Sequence, residues 1–415
     1  MKSLLSFILL FSVIGAQSQT LHKLYEESLK AYSNKNYEKF KSLTKQGLQL
    51  NPTQPTLLYN LVLAHTVTGE NVEAEETLNR LLTWNTQLNY LQNKALKPLL
   101  ADNSVLQNLQ ETKTTYSAFS MKSEAVVNLS KNFHLEDLIK IGSSFYCTDV
   151  HNGYVLKYNQ KTRKSSVLST LPLPAMAVAE GVENSSIWVS TAKLPQFKKK
   201  ISSKAYPYLY EISLKNGSVM DSIVLPASAV LGSMVKGEEG LMYASNSSRP
   251  EIFVIDTKAK KIQKTISINE GISLQGIAIN FTKSKLYIAD YLKGILMLDL
   301  GQESVRRWIK KDNFLLKGFD GVQFLDRTNL LVIQNNSNPK RVIRIMHIDG
   351  RVQDIKLLDN KLPIKGEPTN GFFDPETGFY YIANSQWPFY TKDNRPKYES
   401  WVPQQIRLIP LERMY

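Results

Sequence analysis

The chain is nearly devoid of cysteine: Cys147 stands alone among 415 residues, so no internal disulfide can form, and its place in an apolar run makes it a small core hydrophobe. The five histidines are scattered, without the paired spacing of metal-binding helices. No serine nucleophile elbow, zinc signature or phosphate-cradling glycine loop is present, which sets those chemistries aside. Beyond the first residues no apolar run approaches the roughly 20 residues of a membrane-spanning helix, so no transmembrane segment is expected in the mature chain. Acidic residues are outnumbered, 37 against 51 Lys and Arg, for a net charge of +14. No continuous basic stripe carries that excess, which with export argues against nucleic acid as a partner.

The first residues read as an export signal. Met1-Lys2 is a minimal positive region, Leu4 to Gly15 an apolar core, and Ala16-Gln17-Ser18 a cleavage site. Residues 1–18 are expected to be removed, leaving a periplasmic or secreted protein. No cysteine follows to carry a lipid.

Internal repeats organise the rest. Ser28 and Val62, Lys35 and Gly69, and Phe40 and Ala74 are each 34 apart, on segments with helical apolar spacing, and Asn51-Pro52 closes the first unit. The order Leu58, Leu61, Val62, Gly69, Ala74, Leu78, Leu81 resembles the tetratricopeptide repeat. Leu88 to Gln110 is expected to continue helically, interrupted at Pro98, as a degenerate third unit. The resemblance implies a small all-α domain over 21–112 that caps the propeller or holds a protein partner.

From about Tyr116 the period changes from helical to alternating. A signature recurs six times: an aromatic or aliphatic triplet, a small residue, then Asp, Asn or Thr. The copies end at Asp149, Thr191, Asn246, Asp290, Asn335 and Asn384, in steps of 42, 55, 44, 45 and 49 residues, the spacing of four-stranded propeller blades. The fold class is therefore mainly β, a six-bladed β-propeller over 116–415 behind the helical domain. The last blade runs out of chain after Gln405 to Leu411, so a strand within Tyr116 to Leu129 is expected to complete it and close the ring.

In an up-and-down blade the start of the innermost strand and the end of the next share one end of the sheet. Glu136-Asp137, Gly232-Ser233, Gln275, Asp320 and Glu367 to Asn370 thus fall at one channel mouth with Asp149, His151, Asn246, Asp290, Asn335 and Asn384. Each strand-end Asp or Asn taken singly is a turn former. Carboxylates crowded together, however, call for a cation or a hydrogen-bonded ligand. Three connections share that face: Ala192 to Pro207 with Lys193, Lys198, Lys199, Lys200 and Lys204; Asn336 to Arg341; and Ser385 to Pro403 with Trp387, Phe389, Tyr390, Tyr398 and Trp401. An acidic funnel with a basic, aromatic rim suits a polyhydroxylated or anionic small molecule, with Asp149, Asp290, Asn335, Asn370, Asn384 and Trp387 as candidate binding residues. Solvated loop charge is the other reading of the lysines.

Leu274-Gln275-Gly276-Ile277-Ala278-Ile279 leading to Leu286-Tyr287-Ile288-Ala289-Asp290, then Phe319-Asp320-Gly321-Val322 and Gly366-Glu367-Pro368, resemble the regucalcin and gluconolactonase family of six-bladed propellers over roughly 130–411. The resemblance implies one divalent cation, usually calcium, at the mouth, and hydrolysis of sugar lactones or related esters. By position Asp320 is ligand and general base. Glu136 matches the family's glutamate by place and Glu367 by local motif, Gln275 replaces one asparagine, and Gly232 stands at the other. His151 is an alternative base. Two function classes stay open: a metal-assisted hydrolase, or a non-catalytic envelope protein that binds through the mouth and helical repeats.

Overall fold

The computed structural model describes residues 20–181, 185–362 and 365–415; the expected leader, 1–18, lies outside them. The chain divides into two compact units, one running to Ala118 and taking in Lys311–Leu316, the other holding Phe119–Lys310 and Lys317–Tyr415. No helix among the described residues is long and apolar enough to cross a membrane.

The first unit is helical, over 20–33, Tyr37–Leu50, Pro55–Val67, Asn71–Trp84, Lys97–Leu100 and Asn103–Ser117. The 34-residue period has a physical basis: Lys35 and Gly69 both take positive φ, 55° and 81°, in equivalent interhelical turns, where glycine is unstrained. Ser28 with Val62 and Phe40 with Ala74 are all buried. The side chains of Asn36, Gln54 and Asp102 cap three helices by accepting from Lys39 N, Leu57 N and Ser104 N. The expected helix through Leu88 to Gln110 differs in detail. Turns and a short 3₁₀ segment, Lys94–Leu96, precede a single helical turn in which Pro98 sits near the start, where its missing N–H costs nothing.

The second unit is a six-bladed β-propeller, six antiparallel four-stranded sheets. The second strands of blades one, two and five, Ser144–Asp149, Ser186–Thr191 and Asn329–Gln334, are buried at every position. That burial explains why their sequences run apolar on both faces: each sheet is covered by a neighbouring blade on either side. Clusters such as Leu138, Cys147, Leu156, Tyr380 and Ile406 join successive blades, whereas the outer strand Lys164–Thr170 alternates little and stays largely exposed.

Closure follows the sequence expectation. The sixth sheet is ordered Glu124–Leu129, Gln404–Pro410, Gly378–Ile382, Gly371–Asp374, so the outer strand comes from the other end of the domain. A buried polar cluster ties it down. Asp359 Oδ1 accepts from Ser123 N at 3.1 Å and Oδ2 from the Tyr381 hydroxyl at 2.5 Å, while Arg407 Nε donates to Ser123 Oγ at 2.7 Å.

Candidate functional site

In five blades the innermost strand slips register against its neighbour at the same place: between Leu135 and Leu138, Ala175 and Val178, Leu231 and Ser233, Leu274 and Ile277, and Phe319 and Val322. A β-bulge re-aims the extra residue out of the pleat. Here it re-aims Glu136 and Asp137, Gln275, and Asp320 at the start of the strand. The small residue of the repeated signature fills the bulge from the next strand: Thr148, Ser190 and Ser245 hydroxyls accept from Asp137 N, Ala177 N and Ser233 N at 3.0, 3.0 and 3.1 Å. Glycine lets the inner strands approach. A Cβ on Gly276 would stand 2.4 Å from the Asp320 carbonyl oxygen.

Three carboxylates from blades one, five and six share this mouth, each bound to a different donor. Trp387 Nε1 donates to Glu136 Oε2 at 2.6 Å, Asn335 Nδ2 donates to Asp320 Oδ2 at 2.7 Å, and Lys340 pairs with Glu367. Asn335 is buried, and its amide oxygen has no partner among the described residues. Burial, then the charges of Asp320, Asp137 and Glu367, pushes Glu136 well above the usual carboxylate range, against the Trp387 bond. Burial and the Glu367 charge raise Asp320 to about 7. Asp137, whose oxygens accept from Leu138 N and Val178 N, is also raised to about 7 by burial. Tyr291 lies close enough that burial and the charges of Glu367 and Asp320 push its phenol up.

Several expected ligand residues are spent on the fold. Asp149 Oδ1 accepts from the backbone N–H groups of His134, His151 and Asn152 at 3.1, 3.0 and 3.2 Å. Asp290 accepts from those of Ile272, Ser273, Leu292 and Lys293. Asn384 accepts from Gln405 N and donates to Pro403 O. All three are buried strand-end clamps, the role that competes with ligand binding whenever Asp or Asn follows a strand. His151 is not a free base. Its Nδ1 donates to Gln196 O at 2.8 Å, its Nε2 accepts from the Tyr398 hydroxyl at 2.9 Å, and burial lowers its pKa. The Gln275 amide is held between Ser247 Oγ and Ser273 Oγ, and Asn370 Oδ1 accepts from Gly371 N. Trp387 enters the site as the donor to Glu136.

Sequence reasoning missed the Lys340–Glu367 pair, Tyr291, and the box of His134, Trp387, Tyr390 and Trp401, in which His134 Nδ1 meets the Tyr390 hydroxyl at 2.9 Å. These contacts span up to 267 positions, and no local pattern encodes them. The two long rim connections do meet: Gln196 Nε2 donates to Asn394 Oδ1 at 2.8 Å. For a cation, the donor type fits, since Glu136, Gln275, Asp320 and Glu367 offer oxygen. As the side chains stand, with Lys340 paired to Glu367, no three His, Cys, Asp or Glu side chains among the described residues are grouped to hold a metal.

No protein-family model matches the chain, and no curated protein matches it in sequence. Solved structures match in fold. A luciferin-regenerating enzyme is 14% identical with a TM-score of 0.48, over 68% of this chain and 94% of that one. A structural genomics protein of unknown function from Bacteroides thetaiotaomicron VPI-5482 is 9% identical with a TM-score of 0.49, over 69% and 72%. The WD40 β-propeller domain of Doa1 is 12% identical with a TM-score of 0.43, over 71% and 99%. At such identities the likeness concerns fold, and the regucalcin and gluconolactonase resemblance rests on its motifs.

Proposed function

We propose that the protein hydrolyses a sugar-like lactone or ester in the channel mouth. The observation that carries this reading is the convergence of Glu136, Asp320 and Glu367, from three blades, on one mouth, where burial raises Glu136 well above the usual carboxylate range and Asp320 to about 7. Carboxyls raised toward neutrality by burial can exchange protons with a substrate near neutral pH, as a general acid or base must.

In this reading Asp320 removes a proton from water as its oxygen adds to the acyl carbon. The carbonyl oxygen gains the negative charge and is met by the Glu136 O–H and the Lys340 ammonium. Collapse breaks the bond to the alcohol oxygen, which takes the proton from Asp320. General base assistance of this kind contributes about 10²- to 10⁴-fold.

The test is a panel of sugar lactones and aryl esters turned over by wild type and Asp320→Asn, each with calcium and with chelator. The expected result is turnover that falls at least about 100-fold in the variant; equal turnover by both proteins sinks the assignment. The rim favours a second reading. Lysine-rich 192–207 joined to aromatic 385–403, with exposed Tyr206 and Tyr398, suits retention of a polyhydroxylated or anionic molecule without turnover, and the same panel scored for binding separates the two.

A further inference from the structure

The mouth gathers Glu136, Asp137, Asp320 and Glu367 within range of one another's charges. Partly buried like charges need a compensating cation or a proton. We propose that the Lys340 ammonium is the resident cation of this mouth, standing in for the divalent metal that the resemblance implies and presenting its remaining N–H groups to a carbonyl or carboxylate oxygen of the ligand. The inference deepens the hydrolase reading and rests on the same site.

Four observations carry it. Lys340 pairs with Glu367, and its charge also favours ionised Asp320, so one ammonium serves two of the carboxylates. It comes from a built loop: Ser337 Oγ reaches both Gln334 O and Pro339 O at 2.8 Å, and Arg341 Nε, itself buried, donates to Gln334 Oε1 at 2.8 Å. The other expected metal ligands already have donors, Trp387 for Glu136, Asn335 for Asp320 and the Ser247 hydroxyl for Gln275 Oε1. Finally, Asn335 is only 2% exposed and keeps an unpartnered amide oxygen beside Asp320, an acceptor suited to a ligand hydroxyl. An ammonium has three N–H donors; Glu367 takes one, and the others remain for the ligand.

The experiment uses calcium alone as the probe, on the full chain, with melting temperature and bound metal as readouts. Wild type is expected to melt within about 1 °C in calcium and in chelator, whereas Lys340→Gln, with an uncompensated carboxylate cluster, gains a calcium-dependent rise of at least about 3 °C. Lys340→Arg keeps the charge and behaves as wild type. Wild type that retains about one calcium per chain through gel filtration, or melts higher in calcium, overturns the proposal without any variant needing to fold. Lys340→Gln that folds and gains no calcium response overturns it as well. Turnover that requires calcium in wild type refutes this inference and leaves the hydrolase reading intact. The expected calcium pattern without turnover on any substrate does the reverse.

Discussion

Tyr381→Phe removes a single hydroxyl from the cluster that closes the ring, and its cost can be worked out from the contacts. The hydroxyl is buried, donates to Asp359 Oδ2 at 2.5 Å and lies 3.3 Å from Ser123 Oγ. Burial and the Asp359 charge hold the phenol well above its usual pKa, so it stays a donor throughout the accessible pH range. Phenylalanine keeps the ring and its packing, so no cavity beyond one oxygen opens. What is lost is a hydrogen bond to a buried carboxylate, about 1.5–3 kcal/mol, or roughly 3–10 °C in melting temperature for a unit of this size. Thermal unfolding read by near-UV circular dichroism measures the loss, and amide exchange locates it. Protection should fall first in Glu124–Leu129, the outer strand that Ser123 precedes. A loss under about 0.5 kcal/mol with unchanged protection there would refute the view that this cluster holds the closing strand in place.

Asp320→Asn tests the pH dependence. As a base, Asp320 must be ionised, so wild-type turnover should rise with pH through about 7, and any residual rate in the variant should lack that limb. The same group binds its proton more tightly folded than unfolded. Its contribution to stability is therefore full below its unfolded value near 4 and is lost as pH climbs through about 7; the variant should show a smaller fall in melting temperature between those limits. Trp387→Phe deletes the donor to Glu136 and should lower kcat/KM about tenfold, the loss of about 1.4 kcal/mol; unchanged kcat/KM would remove Trp387 from the site. Gly276→Ala drives a methyl to within 2.4 Å of the Asp320 carbonyl and should cost about 1–3 kcal/mol, read by denaturant unfolding. We also propose that export removes the leader, so intact-mass measurement of the protein recovered from the envelope or medium should give a chain beginning at Gln19.

The propeller was legible because burial on both faces imposes a visible pattern. Strands such as Ser144–Asp149 are sandwiched between blades, so they carry apolar triplets, and the small residue after each triplet proves to have a job where Thr148, Ser190 and Ser245 satisfy bulge N–H groups. The site was half legible. Position along the strand drew attention to Glu136, Asp320 and Glu367, which share one mouth, and equally to Asp149, Asp290 and Asn384, whose side chains bond to nearby backbone groups. Glu136 and Asp320 sit in bulges of the inner strand, whereas Asp149 and Asp290, at the strand ends opposite such bulges, fold back on nearby N–H groups, and a bulge is a property of pairing between strands. Lys340 and Glu367 illustrate the other limit: 27 residues apart on successive blades, they meet only because the ring curves.

The closing strand has a consequence for how the molecule is made. Glu124–Leu129 leaves the ribosome 275 residues before the strand it pairs with, Gln404–Pro410, a wait of roughly 14–55 s at about 5–20 residues per second. Throughout that interval five blades can assemble in order while the sixth has no outer edge. The nascent chain therefore carries an unmatched strand, alternating Val127 and Leu129 inward with Asn128 outward, that any passing sheet edge could capture.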